Sequence, residues 1–319
     1  MKHKRLVPND STGQVTSISF GQTGPMAVGN QSTVAWRVID DVRLLADAVQ
    51  RPGYEADPAE IATFQRDGVV LLRGAFAEWV PAIAAGFQRN LEHPASYAFP
   101  SESTFDHETG RFFDSYCNWQ RIPEYTTFVL NSKAAAMAAA FMGSEIAQLF
   151  HEHAFCKEPG TQKQTPWHQD LPYYCVDGQQ TISIYMALDP TPAETAVRFL
   201  KGSHRTGQLH RPRDFMRGNE YETSDPTMVS TPEITDGDDV FAAALEPGDT
   251  LLFDFRTLHG TTDAPIEQRR RAFSTRWLGD DVRYVDRPGE TSPPMPDLGL
   301  RPGEPMRQDW FPVLWPNSN

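Results

Sequence analysis

The run Thr165-Pro166-Trp167-His168-Gln169-Asp170 places an imidazole and a carboxylate two residues apart. Side chains of an extended strand repeat with period two, so His168 and Asp170 are expected on one face. A second imidazole follows at His259, which ends the apolar run 250–259 behind a Pro247-Gly248-Asp249 turn. Two histidines and one carboxylate that leave coordination positions open make the facial triad of non-heme Fe(II) oxygenases. A lone His-x-Asp triplet is weak evidence among 9 histidines and 42 acidic residues, and a surface loop would look the same. Its company carries more. Arg270 stands eleven residues past His259, between Arg269 and Arg271, where another candidate strand begins. A guanidinium carried into an apolar interior needs an anion, because burying it unpaired is unfavourable. Alone, Arg270 reads as surface charge; beside the triad it reads as the anchor of a dicarboxylate cosubstrate.

The elements that must position these residues follow from local signals. Asp57-Pro58-Ala59-Glu60 combines an N-capping acid, proline at the first helical position and an acid at the third, so a helix starts there. Ile61 and Phe64 give it an inward face and Gly68 ends it. Residues 69–73 read as a strand, 78–91 as a second helix, and the Ala-rich 132–142 as a third closed by Gly143. Beyond 145 the texture changes to short apolar runs between Gly, Pro and Asp turns: 145–155, 181–188, 196–200, 250–255 and 271–278. Helices followed by strands at that spacing predict a mainly β, α+β layout, with flanking helices that buttress a sandwich or short barrel. Residues 1–50 are expected as an N-terminal arm, irregular to 33 and then a strand or short helix. Residues 51–285 are expected as one catalytic domain. The polar stretch 204–240 is too long for a hairpin and reads as an insertion or lid, and 286–319 as a Pro-rich, extended wrapping tail.

Taken in order and spacing, six segments resemble the phytanoyl-CoA dioxygenase (PhyH) family of Fe(II)/2-oxoglutarate oxygenases. They are Lys157-Glu158-Pro159-Gly160, 165–174, Ala187-Leu188-Asp189-Pro190, Lys201-Gly202-Ser203-His204-Arg205, His259-Gly260-Thr261 and Arg270-Arg271-Ala272-Phe273-Ser274. The resemblance spans 64–278 and implies a double-stranded β-helix (jelly-roll, cupin-like) core. It implies His168, Asp170 and His259 as iron ligands and Arg270 as partner of the distal carboxylate of 2-oxoglutarate. Thr261 falls where the family commonly has a serine that bonds the same carboxylate, and Tyr185 where it often has a tryptophan. His153 falls at a cosubstrate-contacting position and Lys157 at a polar position nearby; His151 shares a strand face with His153, but the ligand set is complete without either. The implied activity consumes Fe(II)-bound 2-oxoglutarate and O2, releases succinate and CO2, and most often hydroxylates a small molecule. Related halogenases have a small residue in place of the carboxylate, so Asp170 argues against halogenation, while desaturation, ring expansion and epoxidation stay open. Two alternatives stand beside this reading. A cupin-like isomerase or hydrolase would use the triad without 2-oxoglutarate and have no need of Arg270; a non-catalytic jelly-roll binding protein would have no need of an intact triad.

Composition bounds the partners. With a formal net charge of −13 over 319 residues and no basic stripe, a nucleic-acid partner is not expected. No apolar run is long enough to cross a bilayer, so the expected partner is a small molecule, with a homodimer admitted. The 3 cysteines, Cys117, Cys156 and Cys175, form no C-x-x-C pair, which argues against a disulfide framework and for a reduced, cytoplasmic setting. The basic start 1–5 is followed by polar residues rather than an apolar segment, so no signal peptide is expected. Phe112, Phe113, Tyr116, Trp119, Tyr173 and Tyr174 read equally as pocket lining or core. Arg205, Arg211, Arg213 and Arg217 form a local basic cluster, suited either to an anionic substrate group or to a solvated loop. Trp167 and Gln169 are expected to pack behind the ligands, and His204 to brace a turn.

Overall fold

Asp57 caps the helix that begins after it: its carboxylate accepts the Ala59 N–H at 2.8 Å, and Gly68 closes the same helix at φ 78°, a left-handed conformation that glycine adopts without strain. The computed structural model describes residues 37–97, 110–161, 164–213, 215, 220–221, 225–235, 237–288, 291–295 and 297–316, and that helix is one of five α-helices among them. Residues 1–36 and Arg217 lie outside the described residues. The helices are α1 (Arg43–Ala46), α2 (Pro58–Asp67), α3 (Val80–Glu92), α4 (Pro123–Asn131) and α5 (Ala134–Met142). The expected second helix begins as a 3-10 turn, Ala77–Trp79, that runs into α3, and the expected strand or helix of the arm is α1. Helix α4 has no counterpart among the expectations. Its Thr126, Thr127 and Val129 are poor helix formers, and burial of Tyr125, Phe128 and Val129 overrides them.

The strands among the described residues are, in chain order, β1 (Val69–Leu72), β2 (Phe112–Tyr116), β3 (Ala147–Lys157), β4 (Val176–Asp177), β5 (Thr181–Ala187), β6 (Arg198–Leu200), β7 (Val240–Phe241), β8 (Thr250–Phe253), β9 (His259–Gly260), β10 (Arg270–Leu278), β11 (Arg283–Tyr284) and β12 (Val313–Trp315). The main antiparallel sheet has 7 strands in the order β1-β8-β5-β10-β3-β12, with β2 also paired to β3. A 3-stranded sheet, β7-β6-β9, lies beside it. In the Pro-rich tail, β12 adds a strand to the sheet, pairing with β3 at Gln148 and Ala147.

Alternation along β5 and β10 builds the layers. Ile182, Ile184, Met186, Phe273 and Trp277 pack under the helices with Phe128, Met137 and Phe141. Tyr185, Ala187 and Ala272 point the other way and pack with Phe199, Leu251 and Phe253. Burying each large apolar side chain contributes about 1.5–3 kcal/mol. The helix-facing half of these strands therefore holds the sheet, and the inward half is free to carry Ser183, Tyr185, Ser274 and Arg276.

His168 and Asp170 do not lie on a continuous strand. His168 exchanges two backbone hydrogen bonds with His259, both 2.9 Å, but Asp170 adopts φ −71°, ψ −42° and opens a 3-10 turn over Leu171–Tyr173. A turn, rather than strand alternation, swings the carboxylate toward the imidazoles.

Candidate active site

The backbone pairing of His168 with His259 puts the two rings 4.1 Å apart. Each ring is then oriented by a carbonyl two residues before it. Nδ1 of His168 lies 2.8 Å from the Pro166 oxygen, and Nδ1 of His259 lies 2.9 Å from the Thr257 oxygen. A carbonyl only accepts, so both Nδ1 atoms carry the hydrogen and both Nε2 lone pairs are left for a ligand. Each Nε2 is 3.8 Å from Oδ1 of Asp170, and the three candidate ligand atoms lie within 4.8 Å of one another.

The protonation states suit a cation. Burial, with His259 second, pushes the His168 imidazole down to about 3, and burial likewise lowers His259. Burial alone would raise the Asp170 carboxyl. The Arg276 guanidinium foremost, then His259, His168 and the Ser183 hydroxyl, hold it well below the usual carboxylate range. Two neutral imidazoles and one carboxylate are thus in the deprotonated forms that metal binding requires.

Next to this group lies a second, cationic one. Arg270, 2 % exposed, donates through Nη1 to the Thr195 carbonyl and through Nη2 to the Tyr185 hydroxyl at 3.2 Å. Among the described residues its Nε meets no hydrogen-bond partner and no carboxylate pairs with it. Lys157, also 2 % exposed, reaches the hydroxyls of Thr165 (3.3 Å) and Thr261 (3.4 Å). Burial, then Arg270, pushes its ammonium down to about 7. Thr261 Oγ1 further accepts the Thr165 N–H at 2.9 Å. Arg270, Lys157, Thr261 and Tyr185 therefore surround one small polar region, in which no carboxylate among the described residues pairs with Arg270.

His153 sits elsewhere on the wall. Its Nε2 is bonded to the Asp114 carboxylate, whose other oxygen accepts the Tyr116 hydroxyl at 2.8 Å, and its ring stacks on Tyr116 at 4.1 Å. A cavity of about 340 Å³ joins all three groups. Of the six aromatic residues left open by the sequence, Phe112, Tyr116, Tyr173 and Tyr174 line it, whereas Phe113 and Trp119 belong to the core under the helices. β2 decides this by alternation. The basic cluster also divides: Arg213 lines the cavity and Arg211 pairs with Glu220 at 3.4 Å. Phe215 packs edge-on to His168 at 4.7 Å, so the stretch 204–240 contributes directly to the wall. Gln169 ties it down, accepting the His210 N–H at 3.0 Å and donating to the Gln208 and Arg256 carbonyls. His204 braces a turn against the Gln65 carbonyl at 3.1 Å. Sequence reasoning missed Asp114, Ser183 and Arg276, because only strand register brings them to the site.

The sequence model of the phytanoyl-CoA dioxygenase (PhyH) family matches residues 64–272, well over half of the chain. The chain belongs to this family. That makes it an enzyme of the iron- and 2-oxoglutarate-dependent oxygenase class. Ectoine dioxygenase of Sphingopyxis alaskensis is 23% identical over 261 residues, covering 77% of this chain and 83% of that protein. Among solved structures, the epimerase SnoN in complex with Fe3+, alpha ketoglutarate and nogalamycin RO aligns with a TM-score of 0.62 at 22% identity, over 81% of this chain and 100% of its own. The carbocyclase SnoK from nogalamycin biosynthesis aligns at 0.60 and 20%, over 82% and 97%. EctD from S. alaskensis, solved with 2-oxoglutarate and 5-hydroxyectoine, aligns at 0.58 and 19%, over 80% and 92%. These likenesses establish the jelly-roll fold for this PhyH-family chain. Among the described residues, no helix is long and apolar enough to cross a membrane.

Proposed function

We propose that this PhyH-family enzyme is an Fe(II)/2-oxoglutarate-dependent dioxygenase that hydroxylates a small molecule, with His168, Asp170 and His259 as its metal ligands. The carrying observation is the pairing of three convergent, deprotonated ligand atoms with a buried guanidinium that has no carboxylate partner among the described residues. Relatives of the same fold include an epimerase and a carbocyclase, so the outcome at the substrate is the part that rests on Asp170 and the family's commonest reaction. A cupin-like isomerase or hydrolase without 2-oxoglutarate leaves Arg270 with no anion, and nothing favours it.

In this reading Arg270 takes the distal carboxylate of 2-oxoglutarate in the planar fork that guanidinium favours. Lys157 adds a second positive charge, and the Thr261 and Tyr185 hydroxyls fix the orientation. Iron with 2-oxoglutarate and O2 supplies the oxidising chemistry: one oxygen atom enters succinate as CO2 leaves, and the other enters the substrate. The chain does the rest. The carbonyls of Pro166 and Thr257 hold the imidazoles, Tyr173 and Phe215 pack against His168, and the cavity, whose wall carries Asp114 and Arg213, receives the substrate. His153 belongs to this substrate-side wall, held by Asp114, rather than to the cosubstrate group. The three cysteines are buried and unpaired, in keeping with a reduced, cytoplasmic setting.

The test is anaerobic addition of Fe(II) and 2-oxoglutarate to the apoprotein. A visible charge-transfer band of the chelated 2-oxo acid is expected, weakened in Arg270→Ala. A folded, iron-loaded protein that shows no band would remove 2-oxoglutarate from the reading.

A further inference from the structure

We propose that Arg276 is a positioning residue for the metal-binding carboxylate: together with Ser183 it fixes one oxygen of Asp170 so that the other is presented to the metal. The inference rests on the metal reading above and deepens it.

Arg276 on β10 and Ser183 on β5 are direct cross-strand partners, both on the inward face of the main sheet. They converge on the same atom. Ser183 Oγ donates to Asp170 Oδ2 at 2.9 Å, and Arg276 Nε donates to it at 3.2 Å. Oδ1 is the oxygen left facing the Nε2 atoms of His168 and His259, 3.8 Å from each. The guanidinium is itself held. Its Nη1 donates to Ser274 Oγ, its Nε lies 3.2 Å from the Tyr174 hydroxyl, and the residue is 5 % exposed.

Asp170 needs such a brace because of where it stands. It opens a 3-10 turn, so no strand ladder orients its side chain, and a carboxylate can offer a cation either oxygen or both. Occupying Oδ2 from two sides removes that freedom. β10 thereby carries two arginines on one face with different tasks: Arg270 has no acid among the described residues, whereas Arg276 is committed to the ligand carboxylate.

The sign of a substitution separates positioning from simple neutralisation. A cation next to a metal ligand repels the metal, so if charge were its only role, a neutral residue at 276 would tighten metal binding. If Arg276 aims Oδ1, the same change weakens it. Co(II), which is spectroscopically visible, is the probe, titrated into apoprotein by calorimetry and visible absorption. For Arg276→Gln a loss of about 10–100-fold in Co(II) affinity is expected, with an altered ligand-field spectrum. Arg276→Lys keeps the charge but not the planar fork, and should not restore the wild-type spectrum. Ser183→Ala changes no charge and should lose about fivefold, the worth of one hydrogen bond. Co(II) bound by Arg276→Gln as tightly as by wild type, or more tightly, with near-ultraviolet dichroism unchanged, would overturn the proposal. Should Arg276→Gln not fold, Ser183→Ala decides: unchanged Co(II) affinity there overturns it as well. Co(II) binding that survives in His168→Ala at wild-type strength would instead sink the metal reading, and this proposal with it.

Discussion

Arg270 and Lys157 face each other as cross-strand partners on β10 and β3, two cations each 2 % exposed. Like charges directly opposite on a sheet repel, and here water cannot screen them. An anion between them converts the repulsion into two attractions, which is the arrangement a dicarboxylate cosubstrate would complete. Below about pH 7, where the Lys157 ammonium is charged, Lys157→Met should therefore raise the thermal midpoint of the protein without cosubstrate while weakening 2-oxoglutarate binding to the metal-loaded form about tenfold or more. Arg270→Met should cost about 2–5 kcal/mol of 2-oxoglutarate binding, as for truncation of a buried charge pair. Calorimetric titration with a parallel melting curve checks both signs. A lower midpoint and an unchanged dissociation constant in Lys157→Met would break the assignment.

The same pair makes cosubstrate binding depend on pH. Burial, followed by Arg270, brings Lys157 from 10.5 to about 7. Between those values the unfolded chain binds the proton that the folded apoprotein has released, so apoprotein stability rises with pH across this window. Binding of 2-oxoglutarate favours the ammonium form and takes a proton up. Its dissociation constant should be flat below about pH 7 and rise toward tenfold per unit above it. In Lys157→Met the slope should vanish. A slope that persists in that variant assigns the titration to another group.

Metal loading should stabilise the fold, because the three ligand side chains are already turned inward and deprotonated. At a free Co(II) or Mn(II) concentration about 100 times the dissociation constant, the gain is about 2.7 kcal/mol, an increase of about 5 °C in the thermal midpoint. A chelator should reverse it. His168→Ala and His259→Ala should show no such increase, and a full increase in either would remove that residue from the ligand set.

Chemistry-bearing residue types at informative spacing were legible in the chain; the residues that aim them were not. His168, Asp170, His259 and Arg270 stand out because each type at each spacing suggests one task. Ser183 and Arg276 are ordinary strand residues 93 positions apart, and only the register of β5 against β10 makes them neighbours. The helix at Asp57 was readable from its cap, since capping is local chemistry. β12 was not, because its pairing with β3 joins residues far apart in the chain. Asp170 shows the limit of periodicity: the period-two argument put it on the face of His168, and the structure reaches a similar convergence by leaving the strand altogether.

Gly260 offers the sharpest test of how closely the two metal-bearing segments must approach. It lies between His259 and Thr261, and a Cβ there would sit 3.0 Å from the Thr165 carbonyl oxygen and 3.0 Å from the Trp167 nitrogen. Those are backbone atoms of the segment that carries His168, so neither can rotate away. The reciprocal bonds of 2.9 Å between His168 and His259, and those of Thr261 with Thr165, also 2.9 Å, flank the contact on both sides. Gly260→Ala must therefore push the segments apart by a few tenths of an ångström, at a stability loss of about 1–3 kcal/mol. Ligand geometry tolerates only about 0.5 Å of error, so Co(II) affinity should fall, and 2-oxoglutarate affinity with it, because Thr261 moves as one unit with His259. Gly260→Val should enlarge both losses. Joint weakening of two ligands by a residue with no side chain to hold either would mark the paired backbone as the element that sets the site; wild-type affinities in Gly260→Ala would show that the pairing has slack and that side-chain contacts alone aim the imidazoles.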